Sequence, residues 1–130
     1  MPEYQANVPI YLQIVWDVKR SIVSGSWPPG ERVPPVRELA LAYQVNPNTM
    51  QRALAELERE GFLYAERTAG RFVTDDTGRI AALRRSMAER LLADLFRELS
   101  LMGYDREEIR ALMEGWRPPE EGPCADTTQK

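Results

Sequence analysis

Gln44-Val45-Asn46-Pro47-Asn48-Thr49-Met50-Gln51-Arg52-Ala53-Leu54 is the stretch on which the fold turns. Just before it, residues 36–43 set Val36, Leu39, Ala40 and Tyr43 on one side of a short helix. Gln44 and Val45 break that periodicity, and Asn46-Pro47 restarts it. An asparagine oxygen can accept a bond from an unpaired first-turn N–H, and proline's fixed φ suits the first helical position. The new helix runs to residue 60, with Met50, Ala53, Leu54 and Leu57 on its buried face and Gly61 ending it.

Outward toward the N-terminus, residues 9–24 repeat Ile10, Ile14, Val18 and Ile22 every four positions, flanked by Tyr11, Val15 and Val23. That is an apolar stripe at helical period. Pro9 stands where a first-turn proline is tolerated, and Gly25 where a C-terminal cap is expected. Trp27-Pro28-Pro29-Gly30 is a turn cluster, because two fixed φ angles and a glycine cannot extend a helix. Outward toward the C-terminus, residues 62–67 and 71–74 read as short strands around the turn Thr68-Ala69-Gly70, where glycine supplies positive φ. Three helices and then a two-stranded ribbon, over residues 9–74, is the order of a winged helix-turn-helix.

A second apolar stripe begins after Asp75-Asp76. Ile80, Leu83, Met87, Leu91, Leu95, Phe96, Leu99 and Met102 recur at helical period until Gly103. At about 1.5 Å per residue this is a rod of about 40 Å, longer than a small winged domain needs. Asp105 and Glu108 then have capping-box spacing, and Tyr104 and Ile109 can form a hydrophobic staple. The last helix presents Ile109, Leu112, Met113 and Trp116, and Pro118-Pro119 ends it. The long stripe has three readings: core for residues 9–74, a surface for a partner helix, or the wall of a ligand pocket. Folding it against the last helix, and that hairpin against its copy in a second subunit, buries most of it.

Composition excludes several classes. The 130 residues include no histidine, so there is no imidazole base, no Ser-His or Cys-His pair and no His-rich metal site. The single cysteine, Cys124, excludes an intrachain disulfide and a cysteine metal cluster. No metal, no cofactor and no catalytic residue is expected; the carboxylates Glu107 and Glu108 have a structural explanation in the helix cap. Met1-Pro2-Glu3 has neither a basic nor an apolar leader region, and no window approaches the length of a membrane span. The expected location is the cytoplasm. A net charge of −3 runs against the basic balance usual in nucleic-acid binders, so bulk charge cannot carry a functional reading.

The helix beginning at Asn46 carries one instead. At about 100° per residue, Asn48, Arg52, Ala55 and Arg59 point away from Met50, Ala53, Leu54 and Leu57, with Thr49 and Gln51 on the flanks. This outward face is narrow, rich in donors and without acid at its entering end, as a helix lying in the major groove requires. Asparagine can read adenine and arginine guanine through paired bonds. The helix start at Asn46 offers free N–H groups to a phosphate. Glu56, Glu58 and Glu60 sit at the far end.

Pro9-Ile10-Tyr11-Leu12-Gln13-Ile14, Gly25, Pro29-Gly30, Val33-Pro34, Arg37-Glu38-Leu39-Ala40, Val45-Asn46-Pro47-Asn48-Thr49 and Gly70-Arg71-Phe72-Val73 stand in register with one family. Over residues 9–74 the chain closely resembles the GntR family of bacterial transcription regulators. Val-Asn-Pro-Asn-Thr at the third helix, with two helices after the ribbon, is similar to its short YtrA-type branch. The resemblance implies that Arg37 reaches DNA, that the wing with Arg67, Gly70 and Arg71 approaches the minor groove, and that the last two helices dimerise. Two positions depart from the family. Thr68-Ala69-Gly70 keeps only the second glycine of the usual Gly-x-Gly, and Pro35 replaces a serine that would cap the second helix.

The expectation is therefore a mostly α fold with a small β-ribbon. A winged helix-turn-helix DNA-binding domain spans 9–74, a helical dimerisation region 76–117, and a disordered tail 118–130. The DNA-binding set is Arg37, Asn46, Asn48, Thr49, Gln51, Arg52, Arg67, Gly70 and Arg71. The dimerisation set is Ile80, Leu83, Met87, Leu91, Leu95, Phe96 and Leu99 with Ile109, Leu112, Met113 and Trp116. The expected partners are operator DNA and a second copy of the chain, with a small-molecule effector left open. The function is a homodimeric regulator, most simply a repressor on an inverted-repeat operator. The alternative is a winged-helix protein-interaction module without DNA binding, for which the negative charge speaks; exposed aromatics would mark such a surface.

Overall fold

The computed structural model describes residues 7–120, so all of the expected 118–130 tail but its first three residues, Cys124 included, lies outside the described residues. In chain order the elements are α1 (Ile10–Ser24), α2 (Val36–Tyr43), α3 (Pro47–Arg59), β1 (Leu63–Glu66), β2 (Gly70–Val73), α4 (Thr77–Leu101) and α5 (Arg106–Gly115). The order matches the winged helix-turn-helix expectation. The chain divides into two compact units, one ending at Ala88 and one beginning at Glu89.

The first unit closes around α3. Met50, Ala53, Leu54 and Leu57 are wholly buried and meet Ile14, Val18 and Ile22 of α1, Leu39 and Ala40 of α2, and Leu63 and Val73 of the ribbon in one core. Burying four side chains on one stripe fixes the helix's rotation about its axis. Ile10, expected as the first member of the α1 stripe, is instead exposed. The turn between α2 and α3 is made by Gln44, whose φ of 57° is left-handed. Its N–H and that of Val45 close the end of α2 on the carbonyls of Leu41 and Ala40, at 3.1 and 2.9 Å. Pro35 precedes α2 without any side-chain cap, as the proline-for-serine departure implies.

β1 and β2 pair antiparallel, Leu63 with Val73 through Glu66 with Gly70. The turn is therefore Arg67-Thr68-Ala69, one residue earlier than expected, and Gly70 opens β2 with φ +103°. A third segment joins the ribbon. Gly30 N–H donates to Val73 O (2.9 Å), Val73 N–H to Glu31 O (2.9 Å) and Val33 N–H to Arg71 O (2.8 Å), so residues 30–33 run alongside β2. Sequence gave no sign of this, because the Pro-Pro-Gly cluster beside it reads only as a turn.

After the ribbon, Asp76 starts α4 by accepting the Arg79 N–H at 3.0 Å. The Arg79 side chain reaches back to the carbonyl of Glu60 at 3.3 Å, satisfying an end of α3. Ile80 and Leu83 pack against the winged core. Of the expected dimerisation set, Ile80 and Leu83 thus serve the winged core: period identifies a face, not what covers it.

In the second unit, Gly103 follows α4 in the left-handed conformation, with Tyr104 N–H on Leu99 O at 3.1 Å. Asp105 and Glu108 form the expected reciprocal capping box, at 2.9 and 2.8 Å. Ile109 is buried, and Leu99 is half-buried.

Candidate nucleic-acid interface

Asn46 caps α3 as its sequence position requires, its side-chain oxygen accepting the Asn48 N–H at 2.7 Å. With the opposite stripe buried, α3 turns Asn48, Gln51, Arg52 and Ala55 to solvent, and Thr49 is half-buried beside them. No acidic residue stands in the first turn of α3. Arg37, in the first turn of α2, is exposed.

Further along α3 the charges cancel in pairs. Arg59 Nε donates to Glu56 at 3.0 Å, and this charged bond holds the Glu56 carboxyl down to about 2. The same pairing raises the Arg59 guanidinium above its ordinary value. Lys19 Nζ lies 2.8 Å from Glu60, and Arg71 Nε donates to Glu58 at 2.9 Å. All three carboxylates of the far end thus have cationic partners. The negative total charge is a poor guide to the entering end of the helix.

The Arg71–Glu58 pair changes the expected wing. Arg71 is half-buried and tied to α3, while Arg67 lies in the exposed turn. Arg32, in the segment beside β2, covers Gly70: a Cβ built there would stand 3.2 Å from Arg32 Nε. The positive φ favours glycine at position 70, and a Cβ there would have to displace the Arg32 guanidinium. The ribbon's outer side also carries Tyr64 and Phe72, stacked with centroids 5.6 Å apart.

Arg52 has a specific neighbour that sequence reading missed. Its guanidinium carbon lies 3.9 Å from the centroid of the Tyr11 ring. Nothing in the spacing of residues 41 positions apart signals such a contact.

The structure brings Asn46, Asn48, Thr49, Gln51 and Arg52 together on one end of α3, and Arg67 and Gly70 together on the ribbon. Of the dimerisation set, Leu91, Leu95, Phe96, Leu112, Met113 and Trp116 are exposed, Leu91 and Trp116 by 60% and 61%. Met87 and Ile109 are buried. No helix of the described residues is long and apolar enough to cross a membrane.

Residues 10–73 match the family described as "Bacterial regulatory proteins, gntR family". The chain is 31% identical over 106 residues to the HTH-type transcriptional repressor YtrA of Bacillus subtilis, covering 81% of this chain and 82% of that one. A GntR family transcriptional regulator from Listeria monocytogenes superposes with a TM-score of 0.80 at 37% identity, covering 88% of this chain and all of that one. The DNA-binding domain of AraR, solved in complex with operator ORX1, matches 55% of this chain and 93% of its own at 26% identity and a TM-score of 0.52. With a YtrA relative aligned across both units and the winged unit matched to the family throughout, this chain belongs to the GntR family of bacterial regulatory proteins, in its short YtrA-like branch: a DNA-binding transcription regulator and not an enzyme.

Proposed function

We propose that the protein is a homodimeric repressor, acting in the cytoplasm, that binds an inverted-repeat operator. The observation that carries this reading is the entering end of α3: an Asn-capped, acid-free first turn with Asn48, Gln51 and Arg52 outward and the opposite stripe wholly buried. Asn48, Gln51 and Arg52 read base edges in the major groove. The first-turn N–H groups behind Asn46, together with Thr49 and Arg37, hold phosphates and set the register. Gly70 and Arg67 bring the wing to the minor groove. Arg71 keeps a supporting place there through Glu58, and Arg32 takes over the DNA-facing charge beside Gly70.

The exposed apolar side chains Leu91, Leu95, Phe96, Leu112, Met113 and Trp116 supply the dimer interface, in a region that divides from the first unit between Ala88 and Glu89. A two-fold dimer presents two copies of α3 and so demands a two-fold site. The relationship to a DNA-bound neighbour and to a repressor of matching length supports the same reading. Selection of binding sites from random duplexes at two salt concentrations tests it. The expected outcome is an enriched inverted repeat at both; retained duplexes without any shared motif would contradict it.

A further inference from the structure

Arg52 is the one arginine on the entering half of α3, and though exposed it has a specific aromatic neighbour. Its guanidinium carbon lies over an aromatic ring of another helix, 3.9 Å from the centroid of Tyr11. That ring is itself fixed. Tyr11 is half-buried, packs on the winged core and precedes the buried Ile14, Val15 and Val18 on α1. The first turn of α1 is closed by Leu12 N–H on Pro9 O at 3.1 Å and Gln13 Nε2 on Val8 O at 2.8 Å. Tyr11 is a platform, not a second mobile side chain.

Stacking uses the face of a guanidinium and leaves its five N–H groups in the plane, free to bond. An arginine held this way can keep the contact while donating a paired bond to guanine O6 and N7. A free arginine must give up its rotamer freedom on binding; a stacked one has given up much of it beforehand. We infer that Tyr11 is the positioning residue for Arg52, so that a side chain outside both the helix-turn-helix and the wing sets how sharply the protein discriminates bases. The inference rests on the proposed base-reading role of Arg52.

The test uses the full-length chain and its selected operator, with affinity read by fluorescence anisotropy on the operator and on duplexes changed at each half-site position. Arg52→Ala first identifies the base pair whose discrimination it removes. At that pair Tyr11→Leu, which keeps an apolar side chain but loses the aromatic face, is expected to lower the discrimination ratio about two- to fivefold. Tyr11→Phe is expected to keep the ratio, and Tyr11→Leu combined with Arg52→Ala to match Arg52→Ala alone. Equal loss on every duplex in Tyr11→Leu would make Tyr11 a packing residue and overturn the inference. A gain in ratio would do so too, since the ring would then be holding Arg52 back. If Arg52→Ala changes no ratio, the base-reading role itself fails, and the inference with it. A measurement independent of any variant's folding is the NMR signal of the Arg52 side chain in the free protein. Upfield ring-current displacement is expected, and random-coil shifts would overturn the stacked arrangement.

Discussion

Arg71 of β2 and Glu58 of α3 are joined by a 2.9 Å hydrogen-bonded ion pair, with both side chains about three-quarters shielded from solvent. The pair ties the ribbon to α3. Arg71→Ala is expected to lower stability by about 1 kcal/mol, near the upper end for pairs that water still reaches. Urea unfolding of Arg71→Ala, Glu58→Ala and the double variant checks this; a coupling energy near zero would show that the pair contributes nothing.

Gly70 faces Arg32 at the start of β2 with φ +103°. Gly70→Ala puts a Cβ into a left-handed conformation and 3.2 Å from Arg32 Nε. The expected cost is about 1–2 kcal/mol in stability, with Arg32 displaced and operator affinity reduced. Thermal unfolding with and without operator separates the two effects.

Gln44 is the only non-glycine residue with positive φ among the described residues. Gln44→Gly removes the Cβ penalty at the turn between α2 and α3 and is expected to stabilise the protein by roughly 0.5–1 kcal/mol. Unchanged or lower stability in urea unfolding would mean that the Gln44 side chain contributes more than its strain removes.

Binding is expected to be nearly independent of pH between about 5.5 and 7, since no histidine titrates there. The large carboxylate shift among the described residues points the same way. The Glu56 carboxyl is held below its ordinary value, at about 2, by Arg59. A depressed carboxylate contributes its stability in full above the ordinary carboxylate range and loses it only as pH falls toward the folded value. Anisotropy titrations at constant ionic strength check this; a step near pH 6.5 would contradict it.

These contrasts also mark what sequence could carry. Asn46-Pro47 and Asp105 with Glu108 were legible because a cap is a contact among neighbours in the chain, and each formed as read. The outward face of α3 was legible because four apolar residues at helical spacing fix its rotation. The wing was legible in outline only. Glu58 with Arg71, Arg32 over Gly70 and Tyr11 under Arg52 are contacts between separate elements, and spacing holds no record of them. Ile80 and Leu83 show the same limit: period placed them on one face with Leu91 and Leu95, and packing on the winged core set them apart.

Phe96→Glu is expected to leave the winged unit folded and the protein monomeric, because Phe96 is exposed in the second unit and a charge in an apolar interface is left unpaired. Operator affinity should fall steeply as two linked half-site contacts become one. Sedimentation equilibrium decides it, and a dimer of undiminished affinity would place the interface elsewhere.

The central claim is that two copies of α3 read a two-fold site, and hydroxyl-radical footprinting on the selected operator tests it most directly. Protection symmetric about one dyad is expected at saturating protein. Affinity is also expected to fall about 10³-fold or more between 50 and 200 mM salt, because roughly three or four phosphates are neutralised per subunit and their counterions are displaced on binding. Protection of a single half-site, or an asymmetric footprint at saturation, would contradict it.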